Sequence, residues 1–410
     1  MKNILWLCTL VLVFATATFG ERVYISISKE VSQKAPIVVA SSNPQDIVLN
    51  KLISILCRDL SYSGFFSPAL KSGRITRNEF YASGTRGAYG VFVEEKDNSI
   101  NVLLVEFSKG ETLINRAYAM NKSTRDIAHR IAGDIVFCLT GKPPIASRRI
   151  AFVSNRDGSY RIYAVDYDGE NEVPLTSRET TGHFPRWMPD NRRIIFLTYQ
   201  NGFGHLAFLD VFTGTVKVFL NCPGMNAFAA PSPDGTEFVA SLSRSGNLEL
   251  YLVGADGSIV RQITRNRCID SSPAFSPDGG RIVFVSDRSG SPQVYMMNRD
   301  GTNVHRISYG CTYAVSPAWS PDGNLICFAS RKGSSFVIEL YDVQTGQKRS
   351  ITPERDWYED PSWAPDSVHI VCTRQLANRR SVWVINVFSG ETRRLTEESS
   401  GDCFSPSWSY

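Results

Sequence analysis

Three kinds of residue in this chain have the types and spacing that chemistry would need. Five Pro-Asp pairs, Pro189-Asp190, Pro233-Asp234, Pro277-Asp278, Pro321-Asp322 and Pro365-Asp366, recur with successive prolines 44 residues apart. One carboxylate per repeat would make a ring able to hold a cation. Turn chemistry already accounts for these aspartates, because proline fixes φ at the first turn position and the Asp side chain bonds its own backbone. His183, His205, His305 and His369 are candidate metal ligands. Counted from Ile150 in steps of 44, they fall at offsets 33, 11, 23 and 43. No two share a position in the repeat, so a symmetric ligand set is excluded and loop or hydrogen-bonded histidines are expected. A serine hydrolase would need G-x-S-x-G, and no serine carries glycine at both of those positions. The expectation is a chain with no catalytic residue, no metal and no cofactor.

The elements around these residues are short strands. The repeat reads in full at Ser272–Gly279, Ile282–Ser286, Gln293–Met297 and Val304–Ile307, four β-patterned runs. Pro273 and Pro277 cannot donate to a ladder, which puts the first run at a sheet edge. Asp168-Gly169, Asp256-Gly257 and Asp300-Gly301 supply hairpin turns between third and fourth runs. The second run recurs at Ile150, Ile194, Phe238, Ile282, Ile326 and Ile370. No first run precedes Ile150, yet a surplus one ends the chain at Pro406-Ser407-Trp408-Ser409. The expected fold over residues 146–410 is an all-β six-bladed β-propeller closed by the C-terminal strand.

Residues 21–145 lack the repeat and read as an N-terminal α/β domain. Strands are expected at Arg22–Ser28, Pro36–Ser41, Tyr89–Val93, Ser99–Phe107 and Thr112–Met120. One helix is expected after an Asn43-Pro44 cap, with Val48, Leu52, Ile55, Leu56 and Leu60 on its buried face. A second begins at a Ser123/Asp126 capping box and buries Ile127, Ile131, Ile135 and Leu139. Before this, Met1–Asn3, the apolar run Ile4–Phe14 and the small residues Ala15–Gly20 read as a secretory signal peptide over residues 1–20. Its apolar run is too short to span a bilayer. Cys8 follows Trp6 and Leu7, which are too large for a lipid-attachment site. The composition excludes other classes: 44 Lys and Arg against 40 Asp and Glu leave no concentrated basic surface for nucleic acid.

The signal peptide, the small α/β domain, the repeats with Ser-Pro-Asp-Gly turns and the terminal Pro-x-Trp-Ser resemble the TolB family, periplasmic propellers of the Tol-Pal envelope system of Gram-negative bacteria. The resemblance implies a non-catalytic periplasmic protein that supports outer-membrane integrity and cell division, monomeric apart from its partners. It implies binding of the lipoprotein Pal through the propeller face and of TolA through the mature N-terminus. Here that N-terminus is Glu21, Arg22, Val23, Tyr24, Ile25, Ser26 and Ile27, whose alternation fits a strand added to a partner sheet. The Pal face maps onto the loops entering each first strand: His183, Phe184, Met225, Asn226, Asp270, Ser271, Ser272, Tyr313, Trp357, Tyr358, Glu359, Asp360, Asp402 and Phe404. Cys222, Cys268 and Cys311 fall in consecutive loops on that rim, where one neighbouring pair could be bridged or all could be free thiols. Alternative readings are a metal-dependent propeller hydrolase and a periplasmic ligand sensor.

Overall fold

The computed structural model describes residues 34–82 and 89–410. The expected export signal, the Arg22–Ser28 strand and the segment Glu21–Ile27 lie outside the described residues. The chain forms an α/β domain followed by a β-propeller. No helix among the described residues is long and apolar enough to cross a membrane.

The α/β domain carries one five-stranded sheet in the order Phe66–Leu70, Ala35–Ser41, Tyr89–Lys96, Ser99–Glu106, Glu111–Ala119. Its helices are α1 (Ile47–Tyr62), α2 (Arg77–Ala82) and α3 (Thr124–Thr140). Helix α1 starts later than Asn43-Pro44 suggests. Asn43 instead accepts the Asp46 N–H in a turn (3.2 Å), and Asp46 becomes the cap, accepting from the Leu49 N–H at 2.9 Å. Its buried face is Leu49, Leu52, Ile53, Leu56 and Leu60, so Val48 and Ile55 sit at the edges of the stripe. Ser123 caps α3 through the Asp126 N–H, and Ile127, Ile131, Ile135 and Leu139 are all buried. The strand Phe66–Leu70 and α2 were not legible, because Pro68 and the short six-residue helix give no clear period.

The propeller strands form four sheets of four strands and one of eight. The eight-stranded sheet is two four-stranded antiparallel meanders joined by one parallel pair, Phe336 with Trp357. The final strand, Cys403–Trp408, pairs antiparallel with Arg149–Ser154 and supplies that sheet's missing first strand. Turn chemistry explains the Pro-Asp repeat. Asp190 accepts from the Arg192 and Arg193 N–H groups (both 2.9 Å), Asp278 from Gly280 (3.0 Å) and Asp366 from Val368 (2.8 Å). The Ser232 hydroxyl, with the Thr236 N–H, holds the Asp234 carboxyl down to about 2.

The first strands share a feature that composition hides. Each carries a register shift against its second strand, and at each shift a non-glycine residue has positive φ: Phe184, Phe228, Ser272, Ser316, Asp360 and Ser405. All but Phe228 precede a proline. The prolines therefore sit at β-bulges on an edge strand, where the missing N–H leaves no gap in the ladder.

The α/β domain docks on the propeller at strand-connecting turns, among them Tyr167-Asp168 and the turn after Asn386. One continuous apolar core runs from Leu56, Leu60, Ile131 and Ile135 to Ile150, Phe152, Tyr167, Val371 and Trp408. At its edge the Asp168 side chain, with no exposed surface, takes Arg58 Nη2 and Arg125 Nη2, each at 2.5 Å. Beside it Asp59 accepts from the Tyr167 hydroxyl and pairs with His129 Nδ1 at 2.6 Å. Gly64 ends α1 with φ +79°, and a Cβ there would collide with the Asn386 amide of the propeller.

Candidate functional site

The six first strands surround a cavity of about 480 Å³, lined by residues of each of them. Its wall is divided by chemistry. Phe184 and Phe228, ring centroids 4.6 Å apart, make an apolar flank. Opposite in character are Ser272, Ser316 and Asp360, all lining the same space. Asp360 is held in place from both sides, accepting from Ser316 Oγ (3.0 Å) and Ser405 Oγ (2.9 Å). These bonds link three consecutive first strands across the ring, so the carboxylate acts as a fixed polar post rather than a mobile base.

Around the mouth lies a chain of aromatic contacts. Arg380 stacks over Phe404 at 3.8 Å, Phe404 meets Tyr160 at 5.9 Å, Tyr160 meets His183 at 5.2 Å, and His183 meets Tyr199 at 5.8 Å. Tyr160 and Tyr199 stay 41% and 49% exposed, so the arc offers ring faces to a partner. Sequence reasoning missed both, since it followed only the entries to first strands. The signal was an aromatic at the turn end of a second or third strand. Burial among these rings pushes the His183 imidazole below its ordinary value. An NMR titration should therefore place His183 below a free histidine, and a value at or above about 6.5 would show the ring to be solvated.

The other predicted rim residues divide into two groups. Met225 is 51% exposed. Ser271, Ser272, Tyr313, Trp357, Glu359 and Asp402 are half-buried at the mouth or along the wall. Burial, with the Asp360 charge beside it, pushes the Glu359 carboxyl up. Asp402 accepts from the Arg380 backbone N–H (3.1 Å) and guanidinium (3.2 Å) and so sets the arginine over Phe404.

Three expected contact residues are corrected by burial. Tyr358 is 1% exposed and belongs to the apolar core between the two meanders of the eight-stranded sheet. Asn226 is fully buried, its amide donating to the carbonyls of Cys222 (2.8 Å) and Gly204 (3.0 Å). Asp270 is fully buried against both Arg288 Nη2 (3.0 Å) and Asn266 Nδ2 (2.8 Å). They build the rim from beneath, because alternation along a strand turns each neighbour of a surface residue inward.

The thiols also differ from the bridged alternative. Cys222, Cys268 and Cys311 are free. Cys311 Sγ donates toward Ser308 O at 3.5 Å, and Cys222 packs on the apolar cluster of its own sheets, so these two thiols serve local packing. The histidines stay apart: His369 bonds Asp366 at 2.6 Å, and His305 faces the Asn303 carbonyl at 2.9 Å. Among the described residues no group of three or more His, Cys, Asp or Glu is placed to hold a metal.

Comparison with known proteins gives these features a context. The family model described as "TolB beta propeller domain" matches residues 137–410. The chain is 32% identical over 256 residues to a "Protein TolB homolog" of Chlorobaculum tepidum, covering 59% of each chain. It is 27% identical over 293 residues to the "Tol-Pal system protein TolB" of Desulfosudis oleivorans, covering 65% of this chain and 66% of that one. The matched stretches thus span less than two thirds of these relatives. The crystal structure of TolB from Acinetobacter baumannii superposes with a TM-score of 0.79 at 26% identity, over 92% of this chain and 97% of that one.

Proposed function

Since the chain belongs to the TolB β-propeller family, we propose that it is a non-catalytic, periplasmic protein-binding component of the Tol-Pal envelope complex. In this reading residues 1–20 are an export signal, residues 21–145 an α/β adaptor, and residues 146–410 a six-bladed ring. The eight-stranded sheet then counts as two blades, and the strand Cys403–Trp408 closes the ring. The propeller mouth binds Pal, Glu21–Ile27 engages TolA, and together they support outer-membrane integrity and constriction at division.

The observation that carries the reading is the aromatic arc at the mouth. The α/β domain docks on the propeller at Tyr167, Asp168 and Arg393, which meet Asp59, Arg58 and Tyr62, and leaves Tyr160, Tyr199 and Met225 exposed. Aromatic and methionine side chains are what a protein interface uses as anchors.

Binding to the purified soluble domains of Pal and TolA tests it. Tyr160→Ala with Phe404→Ala should weaken Pal binding by about 2 kcal/mol or more, roughly thirtyfold, while leaving TolA binding intact. Deleting Arg22–Ile27 should do the reverse. Equal loss of both partners in either variant, or no binding of Pal by the unaltered protein, would sink the proposal.

A further inference from the structure

The channel wall contains one residue that breaks the repeat. Arg186 occupies the position that pairs with Ile195 of the second strand. The equivalent pairings elsewhere place Ala230 opposite Val239, Ala274 opposite Val283, Ala318 opposite Cys327, Ser362 opposite Val371 and Ser407 opposite Ala151. Five small side chains leave the channel open at this level, and a single long cation enters it. All six of these first-strand residues, Arg186 included, line the same cavity.

The guanidinium is poorly matched by the protein. Among the described residues its one hydrogen bond is long, from Nη1 to the Pro406 carbonyl at 3.4 Å. Arg192 and Arg193, close by in sequence, have carboxylates at 2.7 and 2.6 Å, whereas Arg186 has none within ion-pair distance among the described residues. Asp360 is near enough to be felt, but its two oxygens are already taken by Ser316 and Ser405. Burial pushes the Arg186 guanidinium below its ordinary value, with Asp360 and, more weakly, Tyr410 and Cys327 only partly offsetting that effect. A half-buried cation that faces a cavity with idle donors is open to an anion that completes it.

We propose that the channel is a binding site for a carboxylate carried on an aromatic or aliphatic group, with the carboxylate on Arg186 and the apolar part against Phe184 and Phe228. The shape of the guanidinium suits a carboxylate's two oxygens. The neighbouring Asp360 charge favours a monoanion over a phosphate dianion, because one cation must balance both groups. The cavity volume lies in the range of small-ligand sites. The source of the carboxylate is either a free small acid or an acidic side chain of a protein loop entering the mouth.

The test uses the full mature chain and no partner, so its failure leaves the Pal and TolA reading untouched. Phenylacetate, its neutral analogue phenylacetamide, phenyl phosphate and the capped peptide acetyl-Phe-Glu-amide are titrated by calorimetry and by the fluorescence of Trp319 and Trp363, which line the cavity. Phenylacetate or the peptide should bind at least tenfold more tightly than phenylacetamide. Arg186→Gln should lose that advantage, and Arg186→Lys should keep part of it. Binding of phenylacetate alone identifies a small acid as the source, and binding of the peptide alone identifies a loop side chain. The proposal is overturned by equal affinity for acid and amide, by undiminished binding to Arg186→Gln, by tighter binding of phenyl phosphate, or by no saturable binding of either carboxylate. Should Arg186→Gln fail to fold, the acid-against-amide comparison on the unaltered chain and the Arg186→Lys variant still decide.

Discussion

Truncation before Cys403 should abolish cooperative folding of the propeller. The removed segment supplies the first strand of the sheet built on Arg149–Ser154, and it buries Cys403 fully and Trp408 to 3% exposure. Trp408 packs in the same core as Ile150, Phe152 and Val371, so its loss uncovers apolar surface on two sheets at once. Truncating a buried tryptophan alone costs about 3–5 kcal/mol. Adding the ladder hydrogen bonds and the exposed edge brings the loss close to the roughly 5–15 kcal/mol that holds a domain folded. Thermal unfolding followed by near-ultraviolet circular dichroism checks this. A sharp transition within a few degrees of the full chain's would show that the ring holds without its last strand.

Asp168→Ala should loosen the α/β domain from the propeller by about 3–5 kcal/mol, because it leaves two guanidiniums, Arg58 and Arg125, without their shared carboxylate. The Asp168 side chain has no exposed surface, and the arginines keep 30% and 17%, so part of the charge will recover hydration and the lower figure is the firmer. Hydrogen exchange should rise in Ile47–Tyr62 and Thr124–Thr140 while the propeller strands stay protected. Uniform protection in both regions would refute the assignment. The same contact has a pH signature. Burial raises the Asp168 carboxyl, but the Arg125 hydrogen bond and the charges of Arg125 and Arg58 outweigh it and hold the group below its ordinary value. A depressed carboxylate stabilises above its unfolded value, roughly 3.9, and loses that contribution as pH falls through the folded one. Docking should therefore be insensitive to pH near neutrality and weaken only in acid.

Both features differ in how far the sequence foretold them. The surplus Pro406–Ser409 segment was legible because turn and edge-strand chemistry is local: proline and aspartate act on their own backbone whatever the rest of the chain does. The Asp168 clamp was not, because Arg58, Arg125 and Asp168 come from three separate elements and each alone reads as a solvated surface charge. His129 and Asp59 did carry a signal, as polar residues on the buried faces of two amphipathic helices. At the mouth, counting in steps of 44 located backbone positions well but not side-chain directions, which is why Tyr358 and Asp270 were assigned outward. Arg186 was readable in principle, as the one long side chain in a column otherwise filled by Ala and Ser.

The ring of bulges restricts which sequences can line the channel. Phe184, Phe228, Ser272, Ser316 and Asp360 all hold positive φ while facing the cavity, a conformation that costs an ordinary residue roughly 1–2 kcal/mol and penalises β-branched side chains most. Valine, isoleucine and threonine are thereby disfavoured at the level where the wall is narrowest in choice, and proline is barred outright by its fixed φ. Lineages diverging from this chain can retune the lumen only within a reduced alphabet, so changes in what the channel accepts should accumulate one step deeper, in the Arg186 column, where the backbone is ordinary and any side chain that fits is allowed.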